Sequence, residues 1–370
     1  MLIGIDSSRY GNELATGVEH YSYKIINGLA DEISKSKEDK AVLYSKKRLA
    51  LSKKKNVSTK LIKTKRLWTL WGLSREMKKT PPDVLFVPSH VLPLTLPKKS
   101  VIMIHDVAFK YLKKSYSWFQ YRYLDWSTRF AVKHATTIIV PSASTKDDIM
   151  HFYKCTGKKI KVVHHGFDPL DISEKEVSDV FSKSEIFKYF EIKKDSKYIF
   201  FVGRLENKKN LVRLVEAFYE FSRVHDDYRL ILAGSRGVGA DRIVKMVNKL
   251  RLADKVIMPG YITDSEKAAL YKYCTVFAFP SLYEGFGFPI LEAFNFKKPV
   301  LTSHVSCLPE VAGEAAHYVD PYDPENIAMG LEKLVNDINY SDRLVKLGNE
   351  RLQLFNWEKA VKQTYKNLTL

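Results

Sequence analysis

Three cysteines in 370 residues (Cys155, Cys274 and Cys307) cannot build a disulfide framework. They share no CxxC spacing, and the ten histidines form no HExxH pair, so the usual signatures of a zinc site are missing. Glycine (17) and proline (14) are too sparse and irregular for a collagen-like or low-complexity chain. No apolar run approaches the roughly 20 residues that a membrane-spanning helix needs. Residues 1–6 read as a buried strand followed by an acid, not as the basic-then-apolar start of a signal peptide. These absences predict a soluble, cytoplasmic chain. Acids are also in short supply: 42 Asp and Glu against 60 Lys and Arg, a formal net charge of +18.

What is present suits buried cores. Hydrophobic residues make up 45% and aromatics 12%, far from a disordered composition. At roughly 150 residues per domain the length predicts two to three domains. The positive charge is concentrated: residues 46–79 hold thirteen Lys and Arg against one acid, Glu76. Such a patch suits an anionic partner (a membrane surface, nucleic acid or a phosphorylated substrate), and it equally suits a solvated basic face.

Short β-rich apolar runs alternate with longer helical patterns almost throughout, the pattern of parallel α/β architecture. Strands are predicted at 2–5, 41–44, 84–87, 101–104, 137–140 and 161–164, and helices at 18–29, 67–78, 118–134 and 144–152. A second series starts at 198–203. It continues through helix 210–224, strand 229–233, helix 244–250, strand 255–258, helix 265–273, strand 276–279, helix 289–295 and strand 299–302. A short helix at Leu308 and two terminal helices close the chain. The expected division is residues 1–170 and 196–350 as two doubly wound, Rossmann-like domains facing across a crevice, the expected ligand site. Residues 171–195, polar and charged, are expected as the linker, a connection plus a short helix, with 351–370 as a C-terminal helix packing back on the first domain.

Two stretches carry chemistry. In the first, Pro280, Ser281, Leu282, Tyr283, Glu284, Gly285, Phe286, Gly287, Phe288 and Pro289 lead from a strand into a helix. Pro289 suits the first helical turn, where its missing N–H costs nothing. Gly285 and Gly287 permit close backbone approach, and the helix start offers N–H groups to an anion. Glu284 and Glu292, eight residues apart, can bond hydroxyls at opposite ends of one ligand, such as a sugar and a ribose. The bland alternative is a Gly-rich turn whose acids cap helices. In the second stretch, Arg204 and Lys209 flank a turn at a strand's carboxyl end, where together they could neutralise a diphosphate. Alternatively they are surface cations near a helix start.

Together these residues resemble the retaining glycosyltransferases of family 4, which have the two-domain GT-B fold. Glu284 and Glu292 match the family's Glu-x7-Glu pattern, and Gly203, Arg204 and Lys209 its Gly-Arg-Leu…Lys pattern. Pro259, Gly260, Tyr261 and Ile262, and the run Leu308, Pro309, Glu310, Val311, Ala312 and Gly313, match further motifs in order. The resemblance covers nearly the whole chain and is strongest from 198 to 322. It implies that Arg204 and Lys209 hold the donor's diphosphate and stabilise its leaving charge. Glu292 would bind the ribose, Glu284 and the amides of Gly287 and Phe288 the donor sugar, and the backbone near Ile262 the base. No Asp-x-Asp motif stands where a metal would be needed, so no cofactor and a metal-independent reaction are expected.

In the first domain, Thr16, Gly17, Val18 and Glu19 open a helix after the first strand, a loop that in the family approaches the diphosphate and acceptor. His105 ends a buried strand where the family often places a histidine near the donor sugar. A lone strand-end histidine is otherwise more often structural. His90 similarly ends a strand and is a weaker candidate for the acceptor side, and His164 and His165 receive no role. At helical spacing, Leu67, Leu70 and Trp71 read as core-packing residues, with an amphipathic helix at an anionic membrane as the alternative. Tyr116, Trp118, Tyr121, Tyr123 and Trp126 read as core with some lining of an acceptor cleft.

The reaction implied is transfer of a hexose from a nucleoside diphosphate sugar, GDP-mannose first among donors, with UDP-hexoses and dTDP-rhamnose next. The expected acceptor is a saccharide or lipid-linked saccharide. The basic 46–79 stretch would hold the enzyme at the inner membrane face, with no nucleic-acid partner. Two readings compete: a sugar-nucleotide epimerase of the same fold, and a basic nucleic-acid-binding protein.

Overall fold

A computed structural model of the protein describes residues 1–11, 17–51, 53–64, 66–170 and 172–370. The chain divides into two compact units, one of residues 1–166 with 355–370 and one of 167–354. Among the described residues no helix is long and apolar enough to cross a membrane.

The first unit holds β1 (Leu2–Asp6), β2 (Lys40–Ser45), β3 (Val57–Leu61), β4 (Val84–Val87), β5 (Lys99–Met103), β6 (Thr137–Val140) and β7 (Ile160–Val162). They form one parallel sheet in the order β3-β2-β1-β4-β5-β6-β7. Its central strands are uninterrupted apolar runs because helices cover both faces; all four residues of β4 are buried. Helix Gly17–Lys35 turns Tyr21, Ile25, Leu29 and Ile33 inward at helical spacing. The last helix, Trp357–Thr369, crosses it at Gly28, where an added Cβ would lie 2.3 Å from Val361 Cγ2. That close approach requires glycine.

The second unit holds β8 (Lys197–Val202), β9 (Tyr228–Ala233), β10 (Val256–Gly260), β11 (Val276–Phe279), β12 (Val300–Ser303) and β13 (His317–Val319). The sheet is again parallel, ordered β10-β9-β8-β11-β12-β13. In both sheets the chain works outward from a central strand, then returns beside it and proceeds the other way. The return creates a topological switch point, between β1 and β4 in one unit and between β8 and β11 in the other. Phe201 and Phe279 stack with centroids 5.9 Å apart at the second of these.

Four expectations need correction. The 171–195 stretch carries two helices where one short one is expected: Glu174–Lys183 and Glu185–Tyr189 bury Val177 and Phe187 within the second unit. Glu174 also pairs with Lys272 at 2.5 Å. Three helices, not two, follow the short one at Leu308: Pro324–Asn336, Ile338–Leu352 and Trp357–Thr369. The 67–78 helix begins instead as a wide π-helical segment, Trp68–Leu73, before helix Ser74–Lys79. Its wider winding moves successive side chains off the spacing of an α-helix, and Trp68 and Leu73 are the large residues it buries. The Trp68 indole donates to the Ile62 carbonyl at 3.0 Å, while Leu67 and Trp71 face solvent. Helix Trp118–His134 likewise turns Ser127, Thr128, Ala131 and Val132 inward and leaves Trp118, Tyr123 and Trp126 exposed, contrary to a core role.

Candidate functional site

The two motif stretches leave the carboxyl ends of β8 and β11, the strands that flank the second unit's switch point. Ligands of doubly wound sheets bind at such points because the diverging connections leave a crevice there. The loop after β8 passes closely over the end of β9. An added Cβ on Gly234 would lie 2.0 Å from the Gly203 carbonyl oxygen, and the φ of Gly234 is +134°. From this loop Asn207–Lys209 form a single 3-10 turn, and Leu211–Ser222 continues as a helix. The Leu282 amide donates to the Lys208 carbonyl at 2.8 Å and ties the β8 loop to the β11 loop.

That tie sets Lys209 against Glu284. The ammonium lies 2.5 Å from Glu284 Oε1 and 4.7 Å from the Phe279 ring centre, while Lys208 Nζ is 3.7 Å from Oε2. Both members of the close pair are buried. Burial alone would raise the Glu284 carboxyl, but the charges of Lys209 and Lys208 outweigh it and hold the acid below its ordinary value. Burial lowers the Lys209 ammonium, and a carboxylate shared with Lys208 only partly restores it. The Glu284 backbone is fixed as well. Its N–H donates to Ser306 Oγ at 3.1 Å, and the Ser306 hydroxyl donates back to its carbonyl at 2.5 Å. Cys307 Sγ adds contacts of 3.1 Å to the carbonyls of Glu284 and Phe286.

Arg204 is different. Its side chain is exposed, and among the described residues it has no ion-pair partner. Gly287 adopts φ +103° and caps helix Phe288–Asn295, with Pro289 in its first turn. This conformation, which a residue with a Cβ rarely adopts, starts the helix at once, and the Ile290 N–H donates back to the Gly287 carbonyl at 3.1 Å. A buried carboxylate and two ammonium groups therefore meet where the two strand-end loops are tied, with a helix N-terminus three residues beyond Glu284 and an exposed guanidinium on the β8 loop. The arrangement can neutralise a diphosphate and accept hydrogen bonds from hydroxyls.

Glu292, on the same helix, does not touch this pair. Lys267 Nζ lies 3.0 Å from its Oε1 and the Tyr271 hydroxyl 2.9 Å from its Oε2. The same hydroxyl reaches the Pro289 carbonyl at 3.1 Å. Lys267 and Tyr271 stand four residues apart on helix Asp264–Tyr273 and so share a face. Burial would lower Lys267, but Glu292 and Asp264 reverse the direction and raise it. Ile262, just after β10, is buried beside an exposed Tyr261. Sequence reasoning did not assign Lys208, Lys267, Tyr271, Ser306 or Cys307 a role. The four-residue spacing of Lys267 and Tyr271 is the signal that could have found two of them.

In the first unit, Thr16 lies outside the described residues. Gly17 opens helix Gly17–Lys35 and an added Cβ would meet nothing within 4 Å, so packing does not impose glycine there. His105, at the end of β5, is buried. Its Nε2 is 3.1 Å from the Pro88 carbonyl, and its ring lies 4.9 Å from that of Tyr21 and 5.3 Å from that of His90. Burial lowers it to about 3, so the ring is neutral. A carbonyl oxygen only accepts, so Nε2 carries the proton and Nδ1 is the acceptor. His165 joins the cluster, its ring 5.6 Å from that of His105. A cavity of about 370 Å³ in this unit is lined in part by Arg9, Lys46, His90, Leu70, Tyr123 and Leu124.

Comparison with known proteins gives two family matches. The model described as Glycosyltransferase Family 4 matches residues 16–169, and that described as Glycosyl transferases group 1 matches residues 182–351. O-antigen chain mannosyltransferase B of Escherichia coli is 27% identical over 75% of this chain and 71% of its own length. O-antigen chain mannosyltransferase RfbU of Salmonella typhimurium is 27% identical over 87% of this chain and 88% of its own. Among solved structures, sucrose-phosphate synthase from Thermosynechococcus elongatus superposes with a TM-score of 0.75 at 19% identity, covering 99% of this chain and 98% of that one. The likeness of fold places the two parallel sheets in the GT-B class.

Proposed function

The chain belongs to the family 4, group 1 glycosyltransferases, and from that premise we propose that it transfers mannose from GDP-mannose to a hydroxyl of a saccharide or lipid-linked saccharide, with retention at the anomeric carbon. Similarity to two proteins named O-antigen chain mannosyltransferases supports the sugar. One observation carries the site: the Lys209–Glu284 pair is buried at the switch point, with Arg204 on the same β8 loop exposed and without an ion-pair partner among the described residues.

Arg204 and Lys209 take the donor's diphosphate and stabilise the charge that develops as it departs, which favours the transition state over the ground state. The amides of Gly287 and Phe288 and the Glu284 carboxylate hold the mannose. Glu292 binds the ribose and the backbone at Ile262 the base. Gly17 and His105 are proposed donor contacts of the first unit. The acceptor oxygen attacks on the face from which the phosphate leaves, and the departing phosphate oxygen takes its proton. Cationic side chains and a helix N-terminus supply the charge, so no metal is required. The basic 46–79 stretch is proposed to lie at an anionic membrane, on the inner face.

Thermal unfolding with GDP, UDP, dTDP and ADP, in the presence of chelator, tests the reading. Ligand at 100 times its dissociation constant adds about 2.7 kcal/mol of stability. GDP is expected to stabilise the wild type and to fail with Arg204→Ala and Glu292→Ala. Stabilisation by UDP or dTDP alone would overturn the donor assignment, and a strict need for divalent cation would overturn metal independence.

A further inference from the structure

Helix Trp118–His134 is amphipathic in the wrong sense for a helix on a soluble sheet. Its inward face is made of Ser127, Thr128, Ala131 and Val132. Its outward side carries Trp118 and Phe119, 67% and 78% exposed, with Tyr123 and Trp126 also open to solvent. Phe119, Tyr123, Trp126 and Phe130 follow at intervals of four, three and four residues, one continuous stripe. Along it Tyr123 lies 6.1 Å from Trp126, and Trp126 stacks on Phe130 at 5.9 Å. Exposed apolar area of this extent marks a surface built to be covered.

Charge decides by what. Residues 110–134 carry six Lys and Arg against a single acid, Asp125. That acid is already taken by Lys110 at 2.5 Å and by the Tyr153 hydroxyl at 3.0 Å. Arg122, exposed, lies 5.8 Å over the Trp118 ring and brings a cation to the level of the aromatics. A second apolar projection stands in the same unit: Trp71, 67% exposed, and Leu67, in a stretch rich in lysine. The two projections are neighbours, because Leu67 and Leu70 line the same cavity as Tyr123 and Leu124.

We propose that this double ridge is seated in an anionic phospholipid bilayer. Trp118, Phe119 and Trp126 would enter the interfacial zone while Arg122 and its lysine neighbours meet headgroup phosphates. Tryptophan and tyrosine favour that zone because one side of the ring system is apolar and the other can hydrogen-bond. Surrounding cations add attraction to an anionic leaflet. Exposed aromatics and excess cations point the same way, and the cavity of about 370 Å³ lies between the ridges. The inference deepens the proposed membrane reading by moving the anchor from the 46–79 charges to the aromatic helix.

Co-sedimentation with vesicles of phosphatidylcholine alone, and of phosphatidylcholine with phosphatidylglycerol, tests it on the full chain. Wild type is expected to partition onto the anionic vesicles with a blue shift of tryptophan fluorescence. Trp118→Ser with Phe119→Ser is expected to lose about tenfold or more in partitioning, whereas Trp118→Tyr with Phe119→Leu retains it. If the serine pair unfolds, Phe119→Glu alone carries the same test. Equal partitioning of wild type and the serine pair would overturn the proposal. So would binding of a single-stranded oligonucleotide, sensitive to the same substitutions, without vesicle binding. Loss of partitioning only when lysines of 46–79 are replaced would spare the earlier membrane reading and sink this one.

Discussion

Lys209 and Glu284, 75 residues apart in the chain, meet at 2.5 Å where the loops after β8 and β11 are tied together. The pair is buried, so each charge depends on the other for its solvation. Lys209→Met would leave Lys208, at 3.7 Å, as the remaining cation on Glu284 among the described residues. Removing one partner of a buried pair costs about 3–5 kcal/mol, and the lower end is expected here because Lys208 remains. Glu284→Gln should cost a similar amount. The double variant Lys209→Met with Glu284→Gln should cost clearly less than the sum, since no isolated charge is left. Urea unfolding of the four proteins measures the coupling, and additive losses would refute it.

Arg204 should behave in the opposite way. It is exposed, and no ion pair among the described residues holds it. Arg204→Ala is therefore expected to change stability by no more than ~0.5 kcal/mol. Turnover should nonetheless fall by about 10² to 10³, the range for losing one group aimed at developing charge. Arg204→Lys should recover only part, because an ammonium cannot reproduce the two-pronged contact of a guanidinium with phosphate. Steady-state kinetics beside a melting curve separate the two effects.

Much of this site could be read from residue order. The glycines, the cations and the paired acids mark strand-to-helix loops, and the apolar runs before them fix which strand ends they leave. What could not be read depends on tertiary geometry. The β3 strand is an edge strand, exposed at four of its five residues, so it carries no apolar pattern. The β13 strand has only three residues, too few to show a period. Trp71 and Leu67 satisfy α-helical spacing and still face solvent, because the local winding is π-helical. In helix Trp118–His134 the buried face is made of serine, threonine, alanine and a single valine, so ranking by hydrophobicity selects the wrong side. The contact of Lys209 with Glu284 needs two loops to meet, which no local pattern states.

Tyr271 offers a test of positioning. Its ring is fully buried, and its hydroxyl reaches both Glu292 and the first turn of helix Phe288–Asn295. Tyr271→Phe keeps the ring and removes only the hydroxyl, at a stability cost of about 1 kcal/mol. If the hydroxyl aims Glu292 at the donor's ribose, KM for the donor should rise several-fold while kcat stays within about twofold. A purely structural hydroxyl would leave KM unchanged. Nucleotide titration of Tyr271→Phe and Glu292→Gln should then give losses that are not additive, since both act through one carboxylate.

His105 sets an acid limit on stability. Folded, it titrates at about 3 because burial disfavours the imidazolium, against an ordinary 6.5 in the unfolded chain. Between those values the unfolded state binds the extra proton, so stability rises with pH there and is lost as pH falls below 6.5. One such group contributes a slope of about 1.4 kcal/mol per pH unit, or about 2 kcal/mol between pH 6.5 and pH 5. His165, also lowered by burial, steepens the same limb. His105→Asn should make the limb shallower by the share of one proton, whatever it does to stability at neutral pH. Urea unfolding at several pH values gives the slope directly. An unchanged slope in His105→Asn would mean that the wild-type ring is already protonated in the folded protein, and His105 could then not serve as the neutral acceptor assigned to Nδ1.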